Sequence, residues 1–235
     1  MNARGLKAVV IGGGPAGLMA AEILSAGGAQ VDVYDSMPSV GRKFLMAGKG
    51  GLNLTHAEVH ESFLARYGAR HRSIEPLLRE FGPDSLRAWV HGLGVETFVG
   101  SSGRVFPTGM KAAPLLRKWL HRLREAGIKL HVRHRWLGWN DPGELRFATP
   151  RGEFLVRADV LILALGGGSW ARLGSDAAWV PLLEQRGVRI SALQPSNCGF
   201  DIGWSEHFRM RYAGQPLKSV VASLTDAARF AATGA

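Results

Sequence analysis

A Gly-x-Gly-x-x-Gly pattern at residues 12–17 is the feature that most constrains how this chain can fold. The pattern follows a short β-branched run, residues 8–11, and leads into an apolar segment, residues 15–24, with proline in its first turn. This order predicts a buried strand, a tight turn and a helix. An alternating run over residues 30–34 predicts a second strand, which Asp35 ends, and the three elements together form a β-α-β unit.

Each glycine of the pattern has its own physical role. Gly12 permits the tight turn, Gly14 lets a pyrophosphate approach the backbone, and Gly17 allows close contact between helix and strand. The helix N-terminus offers free N–H groups and partial positive charge to phosphates. Asp35 can accept hydrogen bonds from ribose hydroxyls and disfavours a 2′-phosphate. The segment therefore predicts dinucleotide binding, with a purely structural glycine turn as the alternative.

Two apolar stripes at helical spacing predict helices in the middle of the chain. The first stripe covers residues 86–93, after a Pro-Asp start signal at residues 83–84, and the second covers residues 115–123. Residues 41–56, which precede these helices, show no clean period and contain four glycines. They predict an irregular loop that lies close to another group.

A three-stranded meander is predicted after the second helix. Its strands cover residues 130–139, 145–149 and 154–157, and turn sequences separate them. Residues 160–165 form an apolar run that predicts a further buried strand, and three glycines end it. The predicted fold class is therefore α/β: a Rossmann-like domain with a parallel sheet and a β-meander as a crossover.

The pattern is weaker towards the end of the sequence. Residues 177–186 predict a helix, residues 188–190 predict a short strand, and residues 219–224 alternate as a strand would.

Composition narrows the classes of function. The chain has 235 residues of which 46% are apolar, and this excludes disorder of the whole chain. A single cysteine, Cys198, excludes an internal disulfide framework and a multi-thiolate zinc site. The eight histidines show no metal-ligand spacing, so no metal is expected. The lone cysteine favours a reducing compartment, and we expect a cytoplasmic protein without a membrane span.

The net charge of +10 is concentrated in residues 61–135, which hold fourteen basic and six acidic side chains. One interpretation is a face that binds a polyanion. The other is a solvated, Arg-rich helical surface, and the scattered placement of the basic residues favours it. Nucleic acid is therefore not an expected partner.

Two features favour FAD over NAD as the dinucleotide. One is the meander, which is followed by an apolar strand that ends in glycines at residues 166–168. The other is the loop rich in Gly, Arg and Lys directly after the second strand.

Several blocks together resemble one family of bacterial FAD flavoproteins. The family consists of NAD(P)/FAD-dependent oxidoreductases, with members named aminoacetone oxidase-like and bile-acid reductase-like. The blocks that carry the resemblance are residues 12–17, 41–43, 48–55, 104–112 and 165–170. This combination covers most of residues 6–220 and is much more specific than the glycine pattern alone.

The chain departs from the family pattern at two places. Many relatives have a Gly-Gly-Gly-Arg-Cys-Asn loop, but residues 48–53 of this chain contain neither Arg nor Cys. Ala177 stands where relatives commonly have glycine. An alanine there would crowd a tight turn.

The resemblance implies a set of cofactor-binding residues. Pro15 and Ala16 join the glycines at the pyrophosphate, and Asp35 binds the adenosine ribose. Basic side chains neutralise phosphates, a glycine-rich loop runs beside the flavin, one residue pairs its backbone with the adenine, and two residues line the other side of the cofactor. In the order of these roles, the implied residues are Gly12, Gly14, Pro15, Ala16, Gly17, Asp35, Arg42, Lys43, Gly48, Gly50, Gly51, Asn53, Val132, Ala164 and Gly166.

The resemblance also implies domain organisation and activity. Residues 1–192 are expected to form the N-terminal part of an FAD-binding domain, and residues 193–235 the truncated start of an inserted β-rich domain. The expected function is an FAD-dependent oxidoreductase, part of a longer enzyme, that acts on an unknown small molecule with NAD(P)H as a candidate electron donor. No catalytic residue is assigned. The alternatives are a catalytically incompetent nucleotide-binding fragment and a flavoprotein that acts on RNA.

Overall fold

A parallel sheet forms the centre of the structure, a computed structural model that describes residues 5–47, 50–194 and 203–215. In chain order the strands are β1 (Lys7–Ile11), β2 (Gln30–Tyr34), β3 (Thr55–His56), β4 (Thr97–Val99), β5 (Arg104–Pro107), β6 (Lys129–His131), β7 (Arg135–Trp139), β8 (Leu145–Thr149), β9 (Gly152–Val156) and β10 (Val160–Leu163). The helices are α1 (Pro15–Ala26), α2 (Arg42–Ala47), α3 (His60–Ala65), α4 (His71–Glu80), α5 (Pro83–Gly92), α6 (Ala112–Glu125), α7 (Val180–Glu184) and α8 (Glu206–Tyr212).

The central sheet has the strand order β10-β1-β2-β6, and all four strands run parallel. The predicted β-α-β unit is present as β1, α1 and β2, with both strands at the predicted positions. Successive residues of a strand point to opposite faces of the sheet, so each face has its own core. The predicted Rossmann-like α/β fold class is thereby confirmed.

One face of the sheet, called the helical face below, packs against α1, α5 and α6. Its buried side chains are mostly aliphatic, because Val, Leu and Ala fill both the strand positions and the apolar stripes of the helices. Members of this core include Ala8, Val10, Leu18, Val33, Val90, Leu115, Leu116, Trp119 and Leu123. The two helices predicted from apolar stripes, α5 and α6, thus lie where their stripes are buried.

The opposite face of the sheet, called the meander face below, packs against β7, β8 and β9. These three strands form a separate antiparallel sheet, as predicted. The predicted first meander strand, residues 130–139, is wrong as a single strand. Its first part is β6 of the parallel sheet, and Arg133 adopts a left-handed φ of 58° that turns the chain into β7.

A third, small antiparallel sheet has the order β3-β5-β4 and was not predicted. Residues 41–56, predicted as an irregular loop, instead contain helix α2 and strand β3. Strands of two to four residues are too short to show an alternating period, and this explains why the sequence did not reveal this sheet.

The chain after β10 is less regular than predicted. Helix α7 spans five residues, within the predicted range of 177–186. The strand predicted at residues 188–190 is wrong, because these residues form no strand. The alternating run at residues 219–224 lies outside the described residues, as does Cys198.

The chain divides into two units, residues 1–193 and 194–235. In the second unit, Ser205 caps α8 by accepting a hydrogen bond from the Phe208 N–H. Whether this unit begins an inserted β-rich domain stays a prediction. Among the residues that the structure describes, none of the helices has the length and apolarity needed to span a membrane.

Candidate functional site

Two glycines of the turn between β1 and α1 are required by contacts within the protein. A Cβ atom on Gly12, which has a φ of 109°, would lie 2.2 Å from the carbonyl oxygen of Ala164. A Cβ atom on Gly17 would lie 1.8 Å from the carbonyl oxygen of Gly12. Both distances are far shorter than real Cβ contacts, so the turn, the helix and β10 can approach this closely only with glycine at both positions.

The second glycine of the pattern differs from the other two. A Cβ atom on Gly14 would have no heavy atom within 4 Å. Gly14 is also the N-cap of α1, no side chain caps the helix, and Pro15 occupies its first turn. The Ala16 and Gly17 N–H groups have no backbone or side-chain acceptor among the described residues. Free donors and open space therefore coincide at this helix end, as an anionic ligand requires.

Asp35 fixes the glycine turn to the chain that follows β2. Its Oδ2 accepts a hydrogen bond from the Gly13 N–H at 2.7 Å, and its Oδ1 accepts one from the Met37 N–H at 2.7 Å. An ionised carboxylate has about four acceptor positions, so these two bonds leave capacity for further donors. The side chain can thus hold the turn and still accept from ribose hydroxyls.

Two adjoining clefts open beside the turn. The first, called the glycine cleft, has a volume of about 90 Å³ and is lined by the turn, by α2 and by the segment after β10. The second, called the aromatic cleft, has a volume of about 100 Å³ and lies towards the meander face. The clefts share Gly12, Asp35, Met37, Leu165, Leu173 and Gly174.

The glycine cleft carries positive charge. Arg42 and Lys43 line it from α2, and Asp35 is the one carboxylate among its lining residues. The Lys43 Nζ donates to Ser175 Oγ at 3.0 Å and to Ser169 Oγ at 3.3 Å. Two cations beside a free helix N-terminus favour an anionic ligand over a neutral one.

Residues 169–176, called the strap below, form a wall of both clefts. Trp170 and Ser175 are joined by an isolated antiparallel bridge, and Gly174 turns the chain with a φ of 85°. A Cβ atom on Gly174 would lie 2.7 Å from Met37 Cγ, so the strap is in close contact with the segment that follows β2. Ser175 is only 2% exposed.

The end of the strap is held by an ion pair. Arg135 Nη1 lies 3.0 Å from Asp176 Oδ2. Burial opposes ionisation of Asp176, but hydrogen bonds from the Ala178 N–H and from Arg135 outweigh burial and lower the pKa of this carboxyl.

Aromatic rings form the wall of the second cleft. Tyr34 stacks on His131 and on Phe147, with 4.4 Å between ring centroids in both pairs. Burial, together with the nearby Asp32 carboxylate, raises the pKa of Tyr34 to about 12. His131 Nε2 in turn lies 2.6 Å from Asp32 Oδ1. Tyr34 thus remains a neutral phenol over the physiological pH range.

The structure brings many of the predicted site residues together. Those that line the glycine cleft are Gly12, Gly14, Pro15, Asp35, Arg42, Lys43, Ala164 and Gly166. Ala16 and Gly17 belong to the same turn, at the start of α1. The assignment of these residues to a cofactor stays a prediction that their common location supports.

Other predicted residues lie away from the clefts. Gly50, Gly51 and Asn53 line neither cleft, and a Cβ atom on Gly51 would lie 2.8 Å from Met110 Cε. Val132 also lines neither cleft, and its carbonyl accepts a hydrogen bond from His134 Nδ1 at 2.7 Å. Gly48 lies outside the described residues. The roles that the resemblance implied for these four residues and Val132 stay predictions.

The sequence does not assign Met37 or Ser175 to the site, although Ser169 and Trp170 of the strap belong to one of the blocks that carry the resemblance. The segment around Ser175 predicts only a tight turn, because serine hydroxyls in turns are common and do not indicate a ligand. Within the described ranges, no group of His, Cys, Asp and Glu side chains is placed to hold a metal ion.

The parallel sheet, the free end of α1 and the cationic cleft define a dinucleotide-binding domain of the Rossmann type. A family model described as the HI0933-like protein Rossmann domain matches residues 6–226, and the chain belongs to this family. The resemblance inferred from the sequence blocks, to FAD-dependent oxidoreductases, is confirmed.

Two known proteins illustrate the relationship. The chain is similar to the 3-dehydro-bile acid delta(4,6)-reductase of Clostridium scindens, with 29% identity over 191 residues, 80% of this chain and 45% of that protein. The chain therefore spans less than half the length of this relative. Its fold is similar to the 3-ketosteroid-delta4-(5alpha)-dehydrogenase of Rhodococcus jostii RHA1, with a TM-score of 0.52, 17% identity, and coverage of 69% of this chain and 46% of that one.

Proposed function

We propose that this chain is the FAD-binding part of an oxidoreductase that acts on a small organic molecule. The observation that carries the proposal is Gly14, whose missing side chain faces open space at a free helix N-terminus. Contacts within the protein explain Gly12 and Gly17, but no such contact explains Gly14. A pyrophosphate that approaches the backbone accounts for it.

The residues of the glycine cleft fit the chemistry of FAD. The turn and α1 would hold the pyrophosphate through backbone N–H groups, and Arg42 and Lys43 would balance its charge. Asp35 would accept from the ribose, while Ala164 and Gly166 would line the other side of the cofactor. FAD supplies the hydride transfer when bound, and the chain binds and orients it.

The electron donor and the partners belong to the same proposal. NAD(P)H is proposed as the donor, supported by the similarity to a protein named as a reductase. Nucleic acid is not proposed as a partner, because several basic side chains of residues 61–135 are engaged within the protein. Arg122, for example, lies 2.8 Å from Glu22 and over the ring of Trp89. A cytoplasmic location stays a prediction.

A titration of the purified chain with FAD tests the proposal. Binding should shift the visible absorption of the flavin and quench its fluorescence, with saturation at one FAD per chain. Anaerobic addition of NADH or NADPH to the complex should then bleach the flavin absorption. A chain that never changes the flavin spectrum would contradict the proposed function, whereas binding without bleaching would contradict only the proposed donor.

The variant Gly14→Val tests the assigned position of the pyrophosphate. A valine side chain would occupy the open space in front of α1, so FAD affinity should fall at least a hundredfold while the thermal unfolding temperature changes little. Gly109→Val is the matched control, because a Cβ atom on Gly109 also has no heavy atom within 4 Å but lies outside the clefts. Unchanged FAD affinity in Gly14→Val would refute this position.

A further inference from the structure

Ser175 is a buried hydroxyl that joins the two walls of the glycine cleft. Its Oγ donates to the carbonyl oxygen of Gly167 at 2.8 Å, beside the end of β10. The same Oγ accepts from Lys43 Nζ at 3.0 Å, on the side of α2. A hydroxyl has one donor and two acceptor positions, so these bonds leave one acceptor position at Ser175.

Lys43 has a donor left over in this arrangement. A lysine ammonium has three N–H donors, and two of them go to Ser175 and Ser169. The third has no acceptor among the described residues, and Lys43 lines the same cleft as Gly14. A phosphate oxygen would form a charge-assisted bond with it, which is stronger than a bond to a neutral hydroxyl.

The hydrogen bond from Lys43 to Ser175 orders the lysine side chain before a ligand binds. A free lysine side chain has four flexible carbons and loses much conformational freedom when a ligand fixes it. Ser175 is itself fixed by burial and by the bridge to Trp170, so it can hold the ammonium in one place. Pre-organisation of this kind raises affinity because less entropy is lost on binding.

We propose that Ser175 is a positioning residue for the cofactor phosphates: it holds the Lys43 ammonium at the glycine cleft so that the remaining N–H meets a phosphate oxygen. This inference rests on the proposed FAD-binding function. It adds the strap to the site and predicts that Ser175 acts only through Lys43.

A double-mutant cycle measured by calorimetry, with ADP as the probe, tests this inference. Lys43→Met should weaken ADP binding at least tenfold, and Ser175→Ala should weaken it about fivefold. In the Lys43→Met background, Ser175→Ala should change ADP affinity less than twofold, because the two side chains act as one unit. Adenosine, which has no phosphate, should bind all variants within twofold.

Two further variants separate positioning from folding. Ser25→Ala is the matched control, since the Ser25 hydroxyl also donates to a backbone carbonyl oxygen, that of Ala126 at 3.2 Å, but lines neither cleft, and it should change ADP affinity less than twofold. Lys43→Arg leaves Ser175 in place and keeps the charge, but a planar guanidinium cannot take the place of the ammonium between the hydroxyls. It should weaken ADP binding at least threefold even if Ser175→Ala does not fold.

The outcomes are distinguishable. If the unaltered chain binds neither FAD nor ADP, the proposed function itself fails. If it binds both, but Ser175→Ala and Lys43→Arg bind ADP as the unaltered chain does, the positioning role alone is overturned. Equal losses of ADP and adenosine affinity in Ser175→Ala would also overturn it, because they would show a merely structural effect.

Discussion

The two faces of the parallel sheet are built from different side chains. The helical face is aliphatic, with Leu115 and Leu123 fully buried among helices. The meander face is aromatic and contains ionisable groups, with Tyr34 stacked between rings and His131 beside Asp32. The strands of the parallel sheet contribute alternate residues to the two faces, and the helices or the meander supply the rest of each core.

The difference teaches that fold stability and site chemistry are divided between the two faces. Buried aliphatic side chains such as Leu115 gain free energy from burial at any pH, because they have no titratable group. The meander face adjoins the aromatic cleft, so its rings and charges lie close to the place where a ligand would bind. Substitutions of these aliphatic side chains should therefore change the free energy of unfolding by the same amount at every pH, whereas substitutions of ionisable side chains on the meander face should change its pH dependence.

The largest effect is expected for Leu115→Ala on the helical face. Leu115 is 0% exposed, and removal of a fully buried leucine costs about 2–5 kcal/mol of unfolding free energy. The loss should be equal at pH 7 and pH 9 in urea denaturation. Leu77→Ala is the control, since Leu77 is 64% exposed, and it should cost less than about 0.5 kcal/mol. A cost for Leu115→Ala below that of the control would show that the helical face is not the main core.

Tyr34→Phe, a substitution on the meander face, should alter the free energy of unfolding only at high pH. The unfolded tyrosine loses its proton near pH 10, whereas the folded one keeps it to about pH 12. The stability of the unaltered chain therefore falls as pH rises between these values, by about 2 kcal/mol at pH 11.5. Tyr34→Phe should lack this part of the fall.

Urea denaturation at pH 8 and pH 11.5 measures the difference between the variant and the unaltered chain. Tyr67→Phe is the control, because Tyr67 is exposed. An alkaline fall of the same size in Tyr34→Phe would show that the buried phenol does not contribute to it.

Glu22→Gln concerns the polar exception on the helical face. The Glu22 carboxylate accepts from Trp119 Nε1 at 2.7 Å and lies 2.8 Å from Arg122 Nη2. Loss of the charge should cost about 1–2 kcal/mol, because hydrogen bonds to a charged group are stronger than neutral ones. Glu153→Gln, at an exposed ion pair with Arg146, should cost less than about 0.5 kcal/mol. Thermal unfolding of both variants measures whether the more buried carboxylate contributes more to stability.

The smallest effect, and the only gain, is expected for Ala177→Gly at the rim of the aromatic cleft. Ala177 has a φ of 56°, a left-handed conformation that costs an alanine about 1–2 kcal/mol. Glycine removes this strain but is more flexible when unfolded, so the net gain should be about 0.5 kcal/mol. Ala178→Gly is the neighbouring control and should destabilise the chain. If both variants lose stability, the left-handed turn carries no strain.

Elements that a local sequence pattern defines were predictable. Elements whose conformation depends on contacts with distant parts of the chain were not. Strands β1 and β2 and helix α1 were placed to within two residues, because the glycine turn fixes their boundaries. The left-handed Arg133 was not predictable, since arginine has no preference for that conformation and only the two sheets require it.

The candidate site was predictable to the same limited extent. The glycine turn and Asp35 were identified because local spacing defines them. Ser175 was not, since it comes within hydrogen-bond distance of Lys43 only through the path of the strap, 132 residues further along the chain. A resemblance to a family gives residue types in order, but not the tertiary contacts that decide which of them share a cleft.

The two bonds that Asp35 accepts have a consequence for how such a protein could evolve. An acidic side chain at this position disfavours a dinucleotide with a 2′-phosphate, and a neutral replacement is the simplest way to admit one. Here the same carboxylate also holds the Gly13 and Met37 N–H groups. A lineage that exchanged Asp35 would loosen its phosphate turn in the same step, so a change of cofactor would first require a new acceptor for these two amides.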